Sequence, residues 1–519
     1  MTQFRGSART NYLTGSGGED ALFGFGGHDR LNGGGGNDTL SGGEGNDTFV
    51  FHRGDGFDTI TDAEAGDTLI FGGAYTDLSF ARREGDDLVL LSGGSGRMAE
   101  GVRIAGHYAG HGLGTVQLRL TLHEASSGSD LPFTSARFAS GLAGTDQGDG
   151  LEVILGTSGD DTITGGGGFY DHIDAGAGHD TVAVGAGTTY SLVIGGAGND
   201  SLTGGDGNDT FRPGRGDDTI DGGAGWDMVD YSDASAAVTV DLALSTAQAV
   251  NGRDGADTLA HIEAVAGSRG NDTLSGDAAA NTLMGGDGAD TLDGRAGADR
   301  LEGGTGSDLY YVDDAGDVVV EVAGPRGGAD RVISSVSYTL GDGVERLSLA
   351  GSADLTATGN AQGNRLDGND GANTLSGLAG NDVLYGGAGN DTLLGGAGED
   401  FLFGQGGADL LTGGAGRDSF VWSALDDSSA TSLDSVTDFT QGTDRLVLAP
   451  IDARGATAAN DAFGFIGSAA FSAAGQVRAE ATEGGTLLQL NTDADTATVE
   501  MEIFLAGFTG TLTARDFLL

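Results

Sequence analysis

Aspartate recurs in this chain at a nine-residue interval, and that spacing is where its chemistry concentrates. The residue fills the sixth position of a Gly-rich nonapeptide in twenty turns: Asp20, Asp29, Asp38, Asp47, Asp161, Asp171, Asp180, Asp200, Asp209, Asp218, Asp227, Asp272, Asp290, Asp299, Asp308, Asp382, Asp391, Asp400, Asp409 and Asp418. Asn takes the same place in three more, Asn281, Asn364 and Asn373. Stacked tight turns would bring these carboxylates and the Gly carbonyls into one gap. An all-oxygen donor set suits Ca²⁺, which takes roughly six to eight oxygens at about 2.3–2.6 Å. Zinc and iron favour His or Cys, which these turns almost never offer. The twenty aspartates are therefore the expected metal ligands, for multiple Ca²⁺ ions. The Asn turns are expected to bind weakly or not at all.

The elements that must hold these residues follow from the same period. The first block reads Gly15-Ser-Gly-Gly-Glu-Asp-Ala-Leu-Phe and restarts at Gly24, Gly33 and Gly42. A second starts at Gly156, a third at Gly267 and a fourth at Gly359, giving twenty-three turns in register. Position eight is apolar in every turn, as in Leu22, Ile163, Leu292 and Phe420. One apolar residue beside a short β-prone triplet describes a strand too short to stand alone, so stacking must bury the eighth positions as a ladder. The expected fold class is all-β: parallel β-roll blocks joined by small antiparallel β caps or spacers. The spacing divides the chain into rolls at 1–52, 136–230, 267–311 and 359–421. A β domain is expected at 53–135, spacers at 231–266 and 312–358, and a C-terminal domain at 422–519. Helix signals are confined to Ala456–Ala462 and a stretch near Thr513.

Composition narrows the function classes. Gly makes up 101 of 519 residues, Asp and Glu 77, Lys and Arg 25, and the net charge is −52. Such a chain repels nucleic acid phosphates and anionic membrane surfaces, so its natural partners are cations. There is no Cys to staple the fold. Met1 to Leu13 lacks the apolar core of a Sec signal, and no stretch reaches the roughly 20 apolar residues of a membrane span. His107-Tyr-Ala-Gly-His111 has zinc-site spacing without the Glu, and His123-Glu124 lacks the second His. Arg53-Gly-Asp55 and Arg215-Gly-Asp217 spell an attachment tripeptide where the repeats supply Gly-Asp anyway. His28, His172 and His179 fall at variable repeat positions and are expected to be exposed.

The G-G-x-G-x-D-x-U-x pattern resembles the calcium-binding β-roll repeat of RTX, or hemolysin-type, proteins. From Gly416 the chain continues Arg417-Asp-Ser-Phe-Val-Trp, Asp434-Ser-Val-Thr-Asp-Phe and Gly442-Thr-Asp-Arg-Leu-Val-Leu, and ends Asp516-Phe-Leu-Leu. This is similar to the C-terminal domain of serralysin-type secreted metalloproteases. The resemblance implies an uncleaved type I secretion signal in the C-terminal residues and contact with that export machinery. The protease helix of serralysins has no counterpart here, so no enzyme activity is expected. The resulting expectation is a secreted, extracellular or surface-associated bacterial protein that folds on Ca²⁺ after export and serves as a scaffold or interaction protein, with an extracellular polysaccharide or the cell surface as partner. The alternatives are a polysaccharide-acting epimerase or lyase, and a toxin or bacteriocin-like protein.

Overall fold

A computed structural model describes residues 1–52, 55–62, 67–72, 78–84, 87–92, 100–104, 116–123, 130–132, 135–138, 151–156, 159–166, 170–251, 254–322, 324, 326–454 and 461–519. The chain divides into two compact units, Met1–Ala236 with Leu244–Ala266, and Ala237–Ala243 with Gly267–Leu519. In both, the Asp-x-apolar triplet forms the strand and the Gly-rich hexad before it forms the turn. Consecutive nonapeptides do not pair with each other. Each pairs in parallel with the strand two turns on, eighteen residues later, as in Thr282↔Arg300 and Thr392↔Leu410. One coil is thus two nonapeptides on two facing sheets, and the eighth positions of both point inward. All twenty-three of these apolar residues are buried.

In the first unit, strands Thr2–Arg5, Asp20–Phe23, Thr39–Ser41 and Phe57–Ile60 stack along one sheet. Leu78–Glu84, Asp87–Ser92 and Glu100–Ile104 extend it as an antiparallel meander. Strands Tyr170–Asp174, Tyr190–Ala197 and Asn208–Arg215 belong to a second parallel stack, and Gln248–Asn251 pairs antiparallel with Gly255–Ala260.

In the second unit, the segment 312–358, expected as a spacer, continues the roll. Leu309, Arg331, Arg346 and Arg365 follow one another in parallel register. The reason is local: Asp330-Arg-Val keeps the Asp-x-apolar triplet after the Gly pattern is lost, and Val332 enters the core fully buried. The C-terminal segment opens with two more parallel strands, Asp434–Val436 and Arg445–Val447, over the fully buried Trp422. It then turns antiparallel through Gln476–Thr482, Gly485–Asn491 and Met501–Ala506. The stretch near Thr513 is one short 3₁₀ turn, Ala514–Asp516, capped by Thr513. Most of Ala456–Ala462 lies outside the described residues. Among the described residues no helix is long and apolar enough to cross a membrane.

Candidate metal centre

The position-six carboxylates form a ladder with two distinct ends. One oxygen is structural: Oδ1 accepts the backbone N–H of the position-six residue one coil earlier, eighteen places back where the repeat is uninterrupted. Asp20 N–H donates to Asp38 Oδ1 at 2.8 Å, Asp382 N–H to Asp400 at 2.8 Å and Asp391 N–H to Asp409 at 2.8 Å. This bond satisfies a buried N–H in most coils and holds the accepting carboxyl group in place; at Asp227 and Asp330 a Glu accepts instead.

The other oxygen is the informative one. In fourteen of the twenty expected ligands Oδ2 is buried and accepts no hydrogen bond: Asp29, Asp38, Asp47, Asp180, Asp200, Asp218, Asp227, Asp290, Asp299, Asp308, Asp382, Asp391, Asp400 and Asp409. Its neighbours are acceptors as well. A Cβ added to Gly386 would sit 2.5 Å from Asp391 Oδ2 and 2.6 Å from the Gly404 carbonyl oxygen. At Gly395 the same point lies 2.6 Å from both Asp400 Oδ2 and the Gly413 carbonyl. A carboxylate oxygen and a carbonyl oxygen thus converge on one small gap, the kind of oxygen pair that Ca²⁺ accepts at about 2.3–2.6 Å. Gly at position one keeps the space between the two oxygens clear; Ala175 and Pro213 stand there in the Asp180 and Asp218 turns. A buried carboxylate facing a carbonyl with no donor is a large unmet cost, which a hard cation removes. The donor set fits calcium.

A second group of turns closes without a cation. Ser16 N–H donates to Asp20 Oδ2 at 2.5 Å and Ser268 N–H to Asp272 Oδ2 at 2.6 Å; Gly205 N–H reaches Asp209 Oδ2 at 3.0 Å. The three Asn turns do the same, with Asp277, Asn360 and Asn369 N–H at 2.7–2.8 Å from the Asn oxygen. In each case the donor is position two. Its backbone decides the outcome. Position two has positive φ in all fourteen turns with a free oxygen, from 61° at Arg295 to 113° at Gly396, and in none of these six closed turns. A left-handed position two turns its N–H away from the carboxylate. Asp171 Oδ2 is closed differently, by the Thr188 hydroxyl at 3.1 Å.

Burial sets the electrostatics. Desolvation pushes the Asp290, Asp382 and Asp391 carboxyls up to about 7, and Asp218 up to about 8. Asp20 moves the other way, held below its ordinary value by its hydrogen bonds from Ser16.

The nonapeptide count missed part of the ladder. Asp58, Asp257, Asp317, Asp330, Asp434 and Asp444 accept the N–H of Asp38, Asp218, Asp299, Asp308, Asp409 and Asp418. Their signal was the Asp-x-apolar triplet without the glycines. Several are closed by side chains: Tyr231 hydroxyl donates to Asp257 Oδ2 at 2.8 Å and Trp422 Nε1 to Asp434 Oδ2 at 2.7 Å. His28 and His179 are exposed, but His172 is buried, contrary to expectation. Its strand lies mid-sheet, pairing with Val153 and Leu192, and burial pushes the imidazole down to about 4. In the Arg215-Gly-Asp217 tripeptide, Asp217 Oδ1 is engaged by the Ala256 N–H at 2.9 Å. Arg53, Gly54 and the stretch from His107 to His111 lie outside the described residues.

The sequence matches known families. The RTX calcium-binding nonapeptide repeat matches residues 5–40, 23–60, 146–168, 156–190 and 192–219. The peptidase M10 serralysin C-terminal family matches residues 218–519, more than half of the chain. The chain belongs to that family. Neither match covers a protease domain, and both families typify secreted bacterial proteins. Among solved structures, the solution structure of the AlgE6R3 subunit of Azotobacter vinelandii mannuronan C5-epimerase is similar over 33% of this chain and 80% of that one, with 23% identity and a TM-score of 0.20. No curated protein sequence matches.

Proposed function

We propose that this chain is a secreted bacterial scaffold or interaction protein that leaves the cell by type I export and takes up its rolls on meeting calcium outside. The observation that carries this reading is the set of fourteen buried, unpartnered carboxylate oxygens in a chain of net charge −52. Calcium bound there supplies the positive charge that the fold itself lacks. The fourteen aspartates with free Oδ2 are its holders, with backbone carbonyls of the next coil beside them, as those of Gly404 and Gly413 beside Asp391 and Asp400. The six turns closed by a position-two N–H stay outside that set.

Without neutralisation, the acidic chain repels itself and stays expanded, the form suited to threading through an export channel. A cation that binds only the folded form stabilises it by mass action. Sites of extracellular type have affinities of about 10⁻⁴–10⁻³ M, so they fill outside the cell and not in the cytosol. The partner in this reading is an extracellular polysaccharide or the cell surface, which a glycan array addresses directly. The folding claim is tested by circular dichroism of the full chain in excess EDTA and in millimolar Ca²⁺. A β spectrum that develops only with Ca²⁺ supports it; identical spectra overturn it.

A further inference from the structure

One position breaks the rule that a carbonyl faces the position-six carboxylate. The turn beginning at Gly303 stacks on the strand Val318–Val320, with Glu302 opposite Val320, so Glu321 falls where the next position-one Gly would stand. Its side chain enters the gap. The Tyr310 hydroxyl also reaches into it: a Cβ added to Gly303 would collide with that hydroxyl and lie 2.5 Å from Asp308 Oδ2 and 2.7 Å from Glu321 Oε1. Asp330 closes the third side, continuing the ladder by accepting the Asp308 N–H at 2.8 Å. One oxygen from each of Asp308, Glu321 and Asp330 lies within 4.8 Å of the other two.

We propose that Asp308, Glu321 and Asp330 form a divalent-cation site of their own, tighter for Ca²⁺ than the repeat sites, that fastens Glu321 and Asp330 to the third block of turns. Three observations converge on it. Asp308 and Asp330 are 2% and 0% exposed, and the Oδ2 of each accepts no hydrogen bond. The remaining carboxylate, Glu321, accepts from the hydroxyl of Tyr310, a fully buried side chain that stands in the eighth-position ladder. The site replaces a neutral carbonyl with a carboxylate, and affinity for Ca²⁺ rises with ligand charge. Burial also pushes the Glu321 and Asp330 carboxyls up to about 7, the cost of gathering three acids without a counter-charge. Nothing in the nonapeptide pattern marks Glu321 or Asp330. Stacking alone brings them beside Asp308.

The inference rests on the calcium reading of the rolls, and the experiment separates the two. Calcium titration of the full chain by calorimetry is compared with Glu321→Gln, and Tb³⁺ luminescence excited through tyrosine is compared with Tyr310→Phe. The expected result is a first, tightest binding step that Glu321→Gln weakens by about tenfold or more, while later steps and the spectrum at saturating Ca²⁺ stay as in the wild type. Tyr310→Phe should keep the calorimetric step and lose the early sensitised Tb³⁺ emission. An unchanged first step in Glu321→Gln, with the later steps present, overturns this site alone. Should that variant not fold, unchanged early Tb³⁺ emission in Tyr310→Phe overturns it equally. Absence of every step in the wild type overturns the calcium reading itself.

Discussion

The turns from Gly377 to Asp418 and the two before them, Gly359 to Asn373, share parallel strands, buried eighth-position residues and the same N–H ladder. They treat position six in opposite ways. In the later run Asp382, Asp391, Asp400 and Asp409 each bury an oxygen that nothing donates to. In the earlier pair, Asn364 and Asn373 accept from position two and donate through their amides, Asn364 to the Val344 carbonyl at 3.1 Å and Asn373 to Asn369 Oδ1 at 3.0 Å. The coil below Asn364 presents a carbonyl where other coils present an N–H, so a donor is required there. An amide nitrogen does for these turns what a cation does for the others. Roll geometry and cation demand are thus separable properties of one repeat.

The harshest way to break this comparison is to remove one ligand from the open run. Asp391→Ala should cost about 1–3 kcal/mol from the stranded Asn373 N–H alone, with the loss of a calcium site in addition. Asp391→Asn keeps an acceptor for that N–H and should lose mainly the calcium. Chemical denaturation with and without Ca²⁺ separates the two; equal calcium dependence in wild type and Asp391→Asn would sink the assignment.

A change of pH should act oppositely on the two forms. Because burial raises the folded-state values of Asp382 and Asp391 to about 7 and of Asp218 to about 8, the calcium-free roll is favoured below the ordinary carboxyl value and loses that support as pH rises through 7 to 8. Calcium-free protein taken from pH 8 to pH 5 should therefore gain β structure, while calcium affinity falls as protons compete. A calcium-free spectrum that is flat over this range contradicts it.

Asn364→Asp tests the closed turns. It sets a carboxylate against the Val344 carbonyl and should destabilise the calcium-free roll by about 1–3 kcal/mol, read by thermal melting in EDTA. No change would mean that the amide donor is dispensable.

The smallest expected effect sharpens the role of position two. Leu378 holds φ of 71° and is about half exposed, so its left-handed backbone is not repaid by burial. Leu378→Gly should stabilise the calcium-loaded roll by about 1 kcal/mol. A lower melting temperature in Ca²⁺ would argue against a required left-handed turn.

Much of this was legible in advance from particular residues. Leu22, Leu292 and Phe420 announced the core by their nine-residue period, and all are fully buried. Asp391 and Asp409 announced themselves as ladder residues. Asp330 and Asp434 are hidden in the sequence because they lack the flanking glycines, whereas the ladder needs only an Asp before an x-apolar pair. His172 misled because a variable repeat position was read as a surface one, and its strand proved to be internal.

The sequence by itself determined the strand length, the inward residue of each turn and the acidic character of position six, since all three depend on residues within one nonapeptide. Tertiary structure decided the rest. Pairing at eighteen residues places alternate repeats on opposite sheets, a choice made by stacking and invisible in a nine-residue period. It also decided which carboxylates keep a free oxygen, because that depends on the φ of position two and on the neighbouring coil. Glu321 is the plainest case: an ordinary acid in the chain, it stands beside Asp308 and Asp330 because the eighteen-residue stacking carries it over Gly303.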